Sequence, residues 1–263
     1  MVSITTAQAY AWLAAFLWPL FRILGLVATE PILGNSAVPR RVKIGFAVLL
    51  TLVVAPVLPP VPAIPPLSPV GIMIAIQQVL IGVTMGFVIR VVIHAVEMAG
   101  QLAGLQMGLG FAVFFDPQSA AQTAVIGQFT GLMATLVLLA SNAHFLILTA
   151  LVESFRTLPI SAEPLSAPGF AAVVGWGGEI FSSGLLLSLP VIAALLITNL
   201  GIGIMTRAAP QLNIFAVGFP LTLAVGFFVL YLSIPFFAPM MLHLSDSAIA
   251  TMLKVVSQMH ARP

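Results

Sequence analysis

Six long apolar stretches constrain the fold of this chain more than any other feature of its 263 residues. A helix that crosses a bilayer needs about 20 mostly apolar residues, and these stretches reach or approach that length. The pattern therefore predicts an all-α polytopic membrane protein of long helical hairpins, with about six apolar spans. The stretches are residues 10–33, 44–58, 70–93, 124–151, 180–204 and 214–241.

The composition supports a membrane protein and excludes several other classes. Only 6% of the residues are charged, against about a quarter in a soluble domain, so the chain cannot cover a surface that faces water. It holds no cysteine, which excludes disulfides and cysteine-ligated metals. No stretch combines a basic patch with interleaved aromatic residues, so we expect no nucleic-acid partner.

The sequence carries no recognisable catalytic motif. It lacks the zinc-binding, phosphate-binding and nucleophile-elbow patterns of common enzymes. His94 and Glu97 are three residues apart and could share a metal, but the sequence offers no further ligand nearby, which favours a helix end in polar surroundings. We therefore expect a protein that is not an enzyme and that has no cofactor.

The basic residues indicate an orientation. Arg40, Arg41 and Lys43 form a cluster between two apolar stretches, which predicts a cytoplasmic connector. Simple alternation of six spans then leaves Lys254 outside, against the same rule. Either residues 242–259 make a further partial pass, or the helices do not alternate simply across the bilayer.

Two ionisable residues fall within or beside apolar stretches. Arg22 lies inside the first stretch, and Glu179 lies at the head of the fifth. A charge at membrane depth is costly and normally faces protein or water, so each residue marks either a transport path or a structural pair, or reaches the membrane surface from near a helix end. The sequence leaves these interpretations open.

Small residues recur at every fourth position just after the third apolar stretch, on two adjacent ridges. Such stripes allow helix backbones to approach closely. The partner is either another helix of this chain, which the sequence favours, or another subunit. The residues are Ala95, Ala99 and Ala103 on one ridge and Gly100 and Gly104 on the other.

The segment 107–119 interrupts the helical pattern. Asp116 followed by Pro117 is a good helix start, because Asp caps a first turn and proline fits its first position. We expect one helix to end between Phe111 and Phe115 and another to begin at Pro117, which leaves a broken, re-entrant loop of large apolar side chains. Such a loop survives at membrane depth when it is buried in protein or lines a cavity; the alternative is an ordinary loop at the membrane surface. The candidate gate residues are Gly108, Gly110, Phe111, Phe114, Phe115, Asp116 and Pro117.

A second unusual segment joins the last two apolar stretches with almost no linker. It predicts a long antiparallel hairpin with a polar tip formed by Arg207, Pro210, Gln211 and Asn213. The tip is either a contact surface for a cytoplasmic partner or a plain turn exposed to water.

Two segments resemble the signatures of a known family. Residues 104–119 and 204–220 are similar to the central and C-terminal signatures of the FliR/SctT family of type III secretion export-gate proteins. The sequence Phe115-Asp116-Pro117 in the first segment is closer to the flagellar branch than to the injectisome branch. Length and hydrophobic layout agree over nearly the whole chain.

The resemblance implies a function that composition and spacing do not show. Members of this family assemble with FliP and FliQ into the pore through which unfolded flagellar subunits are exported, and FlhB wraps the cytoplasmic side. The expected location is the bacterial inner membrane at the flagellar basal body, in contact with membrane lipid. The resemblance also implies one export-gate domain over residues 1–263, FliP-like in 1–170 and FliQ-like in 171–263, with a plug at 104–122 and a hairpin tip near FlhB.

A protein of another class also fits the sequence, namely an autonomous secondary transporter or channel for a small solute. Broken helices and buried charges suit both functions. Transporters commonly contain internal repeats, and none is visible in this sequence. Co-purification with other hydrophobic export subunits would distinguish an export-gate subunit from a transporter.

Overall fold

The computed structural model describes residues 6–111, 125–211 and 214–260. The helices in these ranges are α1 (Thr6–Thr29), α2 (Arg40–Val54), α3 (Pro69–Gln106), α4 (Val125–Ala140), α5 (Ala143–Thr157), α6 (Ala167–Gly177), α7 (Glu179–Ala208) and α8 (Ile214–Gln258). Two short 3₁₀ turns, Ala55–Val57 and Leu109–Phe111, follow α2 and α3. No strand occurs among the described residues, and the prediction of an all-α membrane fold is confirmed.

Four helical segments in the described ranges are long and apolar enough to cross a membrane, fewer than the six that we expected. α2 has 15 residues, about 22 Å, which does not reach across about 30 Å of hydrocarbon. The stretch at 124–151 is broken between α4 and α5, where Asn142 takes a left-handed backbone conformation (φ 58°) that asparagine tolerates. The count rises to five if α4 and α5 form one broken span. The four segments are Gln8–Thr29, Pro69–Gln106, Ala167–Ala208 and Val217–Gln258.

Two helices are much longer than a bilayer is thick. α3 has 38 residues and α8 has 45, which correspond to about 57 Å and about 67 Å at 1.5 Å per residue. Residues 242–259, which we considered as a further partial pass, continue α8 as far as Gln258. Simple alternation of six equal spans therefore does not describe this chain.

The proline-dense connector after α2 lacks α-helix over residues 58–68, as its composition predicts. Pro56 lies in the 3₁₀ turn Ala55–Val57, and Pro69 is the first residue of α3. Proline is well suited to the first position of a helix, because the missing N–H would have no helical partner there.

The described helices fall into two compact units. The first comprises the described parts of Met1–Val91, Asn142–Gly177 and Ser245–Pro263, and the second those of Val92–Ser141 and Gly178–Leu244. Both α3 and α8 contribute residues to each unit. The division of the chain near residue 170, which the family resemblance implies, stays a prediction.

In the first unit, α1 and α3 pack through glycines. A Cβ atom added to Gly25 would lie 2.6 Å from the carbonyl oxygen of Val79. A Cβ atom added to Gly82 would meet the carbonyl oxygen of Arg22. The two backbones are therefore in direct contact, an arrangement that small residues permit between membrane helices.

Replacing Gly82 with alanine is expected to destabilise the protein by about 1–3 kcal/mol, because the new methyl group has no space against the backbone of α1. Gly45 in α2 provides the matched control, since a Cβ atom there meets nothing within 4 Å. Gly45→Ala should leave the stability unchanged or slightly higher, because alanine favours a helix more than glycine does. Thermal unfolding of both variants in detergent measures the difference. A melting temperature of Gly82→Ala equal to that of the wild type would contradict the packing.

Candidate functional site

The α-helix that leads into the candidate gate segment ends earlier than predicted, at Gln106. We expected the end between Phe111 and Phe115, and this was wrong. Gly108 takes a positive φ of 88°, and Phe111 lies in the 3₁₀ turn that follows. Glycine adopts this left-handed conformation without a steric penalty, so the helix turns at Gly108 and does not continue to the aromatic residues.

The structure describes the beginning of the candidate gate segment. Gly108 and Gly110 are half-buried, and the backbone of Phe111 ends the 3₁₀ turn. The expected helix start at residue 117 stays a prediction. The candidates outside the described residues are Phe114, Phe115, Asp116 and Pro117.

Met107, which precedes the turn, is anchored in the second unit. It is fully buried in a core with Ala103 of α3 and with Val191 and Leu195 of α7. Leu109 packs against the same core. Helix packing therefore holds the base of the candidate gate segment.

Two residues of α8 also contact Met107. Neither was predicted from the sequence. The hydroxyl of Thr222 donates to the carbonyl oxygen of Met107 at 3.2 Å. A Cβ atom on Gly226 would meet the Met107 side chain, so the glycine leaves room for it. Thr222 and Gly226 lie four residues apart on one helix face, and this spacing of small residues is the signal that could have identified them.

The glycine ridge of α3 lies against α4. A Cβ atom on Gly100 would meet the hydroxyl of Thr130, and this hydroxyl donates to the carbonyl oxygen of Val96 at 3.2 Å. A Cβ atom on Gly104 would lie 3.5 Å from the Ile126 side chain, an ordinary contact. Gly100 therefore marks the close approach of the two helices.

The alanine ridge of α3 is buried in the same unit. Ala95, Ala99 and Ala103 are all inaccessible or nearly so. On α7, a Cβ atom at Gly184 would lie 3.0 Å from the carbonyl oxygen of Ala95. Both ridges thus make contacts with helices of this chain.

After α7 ends at Ala208, the structure describes residues 209–211 of the connection to α8. Three of the predicted tip residues, Arg207, Pro210 and Gln211, are exposed, and Asn213 lies outside the described residues. The N–H group of Ala209 donates to the carbonyl oxygen of Met205 at 2.8 Å and closes α7. Exposed polar groups at this tip are available to a partner.

Arg22 is completely buried in the first unit and bonded to groups of other helices. Its Nε donates to Oε1 of Gln78 at 2.8 Å. One terminal nitrogen donates to the carbonyl oxygen of Ser154 at 2.9 Å and to its hydroxyl at 3.1 Å, and the other donates to the carbonyl oxygen of Leu158 at 2.9 Å. The guanidinium carbon lies 4.1 Å from the ring centre of Phe155. Arg22 therefore has a structural role, because it joins parts of the first unit that are distant in sequence.

The C-terminal end of α5 supplies the negative potential that Arg22 requires. The carbonyl groups of Ser154 and Leu158 stand at this end, where helix carbonyls carry partial negative charge. The carbonyl oxygen of Ser154 also accepts the backbone N–H group of Leu158 at 3.0 Å. The face of Phe155 adds a favourable cation–π contact. In the described part of the chain no carboxylate pairs with Arg22, so the helix end takes the place of a counter-ion.

The other ionisable candidates make local contacts. The carboxylate of Glu179 accepts hydrogen bonds from the hydroxyls of Ser182, at 3.0 Å, and Ser183 in the first turns of α7. Nδ1 of His94 lies 2.7 Å from Oε2 of Glu97. Over the described ranges no three His, Cys, Asp or Glu side chains come together as metal ligands could.

Glu30 closes the turn that follows α1. Its carboxylate accepts the backbone N–H groups of Ile32, at 3.1 Å, and of Leu33. Burial raises the pKa of Glu30 above its usual range, while these N–H groups and the charge of Arg90 act in the opposite direction. Glu30 and Arg90 therefore lie close together at the end of the first unit where α1 ends.

The long apolar helices in the described ranges define a polytopic membrane protein. The family described as bacterial export proteins, family 1, matches residues 13–248. Because this match covers most of the sequence, the chain belongs to that family, whose relatives carry the name flagellar biosynthetic protein FliR.

The similarity to these relatives extends over nearly the full chain. The identity is 41% with FliR of Escherichia coli (strain K12) over 259 residues, which cover 98% of this chain and 99% of that protein. It is 42% with FliR of Pectobacterium carotovorum over 259 residues, with the same coverage. With FliR of Bacillus subtilis (strain 168) it is 32% over 219 residues, 82% of this chain and 84% of the relative.

Proposed function

We propose that this chain is a subunit of the flagellar type III protein-export gate. Together with FliP and FliQ it forms the pore through which unfolded flagellar proteins leave the cytoplasm. The gate lies in the bacterial inner membrane at the flagellar basal body, and the chain acts in it without catalysis or a cofactor. Membership of the export family and near-full-length similarity to flagellar biosynthetic proteins support this function.

The uncovered apolar surface of α8 is the observation that carries the proposal. In the most apolar window of Val217–Gln258, 11% of the residues are buried within the chain. Exposed apolar side chains run from Val217 to Leu242, a rise of about 38 Å. An upright helix of this length exceeds the hydrocarbon core of about 30 Å, so lipid alone does not cover it. Neighbouring subunits of an assembled complex would cover the rest.

The segment that follows Met107 is the proposed gate. Its base is held by the core of the second unit. Gly108 and Gly110 have no side chains, so the backbone there occupies little space. Phe111, Phe114 and Phe115 form the seal, and the chain leaves the segment through Asp116 and Pro117. Large apolar side chains at a constriction exclude ions by dewetting, so the closed pore needs no charged barrier.

The tip between α7 and α8 is the proposed contact with FlhB on the cytoplasmic side. Arg207 and Gln211 are exposed there, and Pro210 fixes the turn between them. The proposed contact also includes Asn213, which lies outside the described residues. In the same proposal residues 1–170 take the place of a FliP-like subunit and residues 171–263 that of a FliQ-like hairpin.

An autonomous solute transporter is the competing function. It would account for broken helices, but it gives no reason for an apolar helix surface longer than the bilayer. The family to which the chain belongs is one of export proteins. We therefore retain the export gate as the function.

Co-purification tests the proposal. A tagged chain, expressed in flagellated cells at its native level and extracted in mild detergent, is expected to bring down FliP, FliQ and FlhB. Arg207→Glu should reduce FlhB while FliP and FliQ are retained, because a charge of opposite sign at an exposed tip disturbs a contact and not the core. Lys254→Glu is the matched control, since Lys254 is exposed on α8 away from the tip. Recovery of the tagged chain alone, with solute flux after reconstitution, would favour the transporter.

A further inference from the structure

One face of α2 is apolar and uncovered. Val42, Phe46, Leu49 and Val53 are exposed at spacings of four, three and four residues, which places them in one line along the helix. Leu49 and Val53 are 65% and 72% exposed. The opposite face is buried in the first unit, through Ala47, Thr51 and Val54. We call the exposed line the α2 stripe.

Basic residues stand at the start of the α2 stripe. Arg40 and Arg41 open the helix and are exposed, and across the described residues neither forms an ion pair. Lys43 donates from Nζ to the carbonyl oxygen of Gly34 at 3.1 Å, which keeps its charge at the same end.

The charge at this end of the first unit is predominantly positive. α1 and α3 run in the same direction, since Arg22 contacts Gln78 and Gly86 packs on the end of α1 beside Glu30. Arg90, one turn beyond Gly86, therefore lies at the level where α1 ends and α2 begins. Glu30 contributes a carboxylate to this region, and this carboxylate accepts hydrogen bonds from backbone N–H groups.

The length of the α2 stripe matches the hydrocarbon thickness of one membrane leaflet. From Val42 to Val53 the helix rises about 17 Å. Half of a hydrocarbon core of about 30 Å is about 15 Å. An acyl chain that lies along the stripe would therefore place its phosphate beside Arg40 and Arg41.

We propose that the α2 stripe and the basic residues at its head form a binding surface for an anionic phospholipid. Arg40 and Arg41 hold the headgroup phosphate, and the stripe packs against the acyl chain. An acidic protein segment would satisfy the arginines but would leave the apolar stripe uncovered, which is why a lipid is the better occupant. The proposal is independent of the export function.

Photo-crosslinking in nanodiscs tests this surface. The chain, purified with its native partners, carries a photoreactive benzophenone side chain at position 49 and is reconstituted in equal amounts of phosphatidylglycerol and phosphatidylcholine. We expect lipid adducts that are mainly phosphatidylglycerol. A benzophenone at the buried position 51 should crosslink within the chain.

A matched pair of double variants tests the arginines. Arg40→Gln with Arg41→Gln should lower the ratio of phosphatidylglycerol to phosphatidylcholine adducts by about 25-fold, since each basic residue near a membrane surface contributes about five-fold. Arg156→Gln with Lys254→Gln removes two exposed basic residues elsewhere and should leave the ratio unchanged. Adducts to protein at position 49, or lipid adducts whose ratio does not respond to Arg40 and Arg41, would overturn the proposal.

Discussion

Replacing Arg22 with methionine is expected to remove most of the folded protein from the membrane. Methionine keeps much of the length of the side chain but donates no hydrogen bond. The acceptors on Gln78 and Leu158 would then be buried without their partner, whereas the carbonyl oxygen of Ser154 would keep the N–H group of Leu158. Each buried group left unpaired costs about 1–3 kcal/mol, so the total loss is at least about 2 kcal/mol. This is a large part of a typical stability of about 5–15 kcal/mol.

Two further variants separate the geometry of Arg22 from its charge. Arg22→Lys retains the charge but presents a compact ammonium that cannot reach all three partners, so an intermediate loss is expected. Arg156→Met changes an exposed arginine of α5 that contacts Glu153 one turn away, and it should have little effect. Membrane levels and melting temperatures in detergent measure the series. Wild-type values for Arg22→Met would show that the buried contacts contribute nothing.

Hydrophobic patterning predicted where several helices lie. The apolar stretches at 70–93, 180–204 and 214–241 fall within α3, α7 and α8. Patterning did not predict that α8 continues to residue 258, because Asp246 and Lys254 interrupt the apolar run. Both side chains are exposed, while Met252 and Val256 on the same helix are buried in the first unit. The continuation therefore depends on packing between distant parts of the chain.

Contacts between helices could not be predicted from one sequence. Arg22 was a candidate because of its position, but its partners Gln78, Ser154 and Leu158 lie 56, 132 and 136 residues away. Periodicity describes one helix at a time and does not assign its neighbours. For the same reason the gate segment was recognised from its local sequence, whereas Thr222, which holds its base, was not.

Deletion of residues 110–115 is expected to open the assembled complex to ions while its assembly persists. The deletion removes the proposed apolar seal, including Phe111, Phe114 and Phe115. It leaves Met107 in its core, so the packing of α3 on α7 and α8 should be retained. An export pore must be closed when it is empty and must admit an extended chain, and a movable apolar loop meets both requirements. A membrane that holds the deleted complex should therefore leak ions or small molecules.

Conductance of the purified complex in planar bilayers, with and without residues 110–115, tests most directly whether this chain seals an export pore. The intact complex and a Gly45→Ala complex, whose change faces open space, are predicted to show near-zero conductance. The deleted complex is predicted to show steady conductance with an unchanged subunit composition. Equal, near-zero conductance in the deleted and intact complexes, with assembly verified in both, would contradict the account and reduce the segment to an ordinary packed loop.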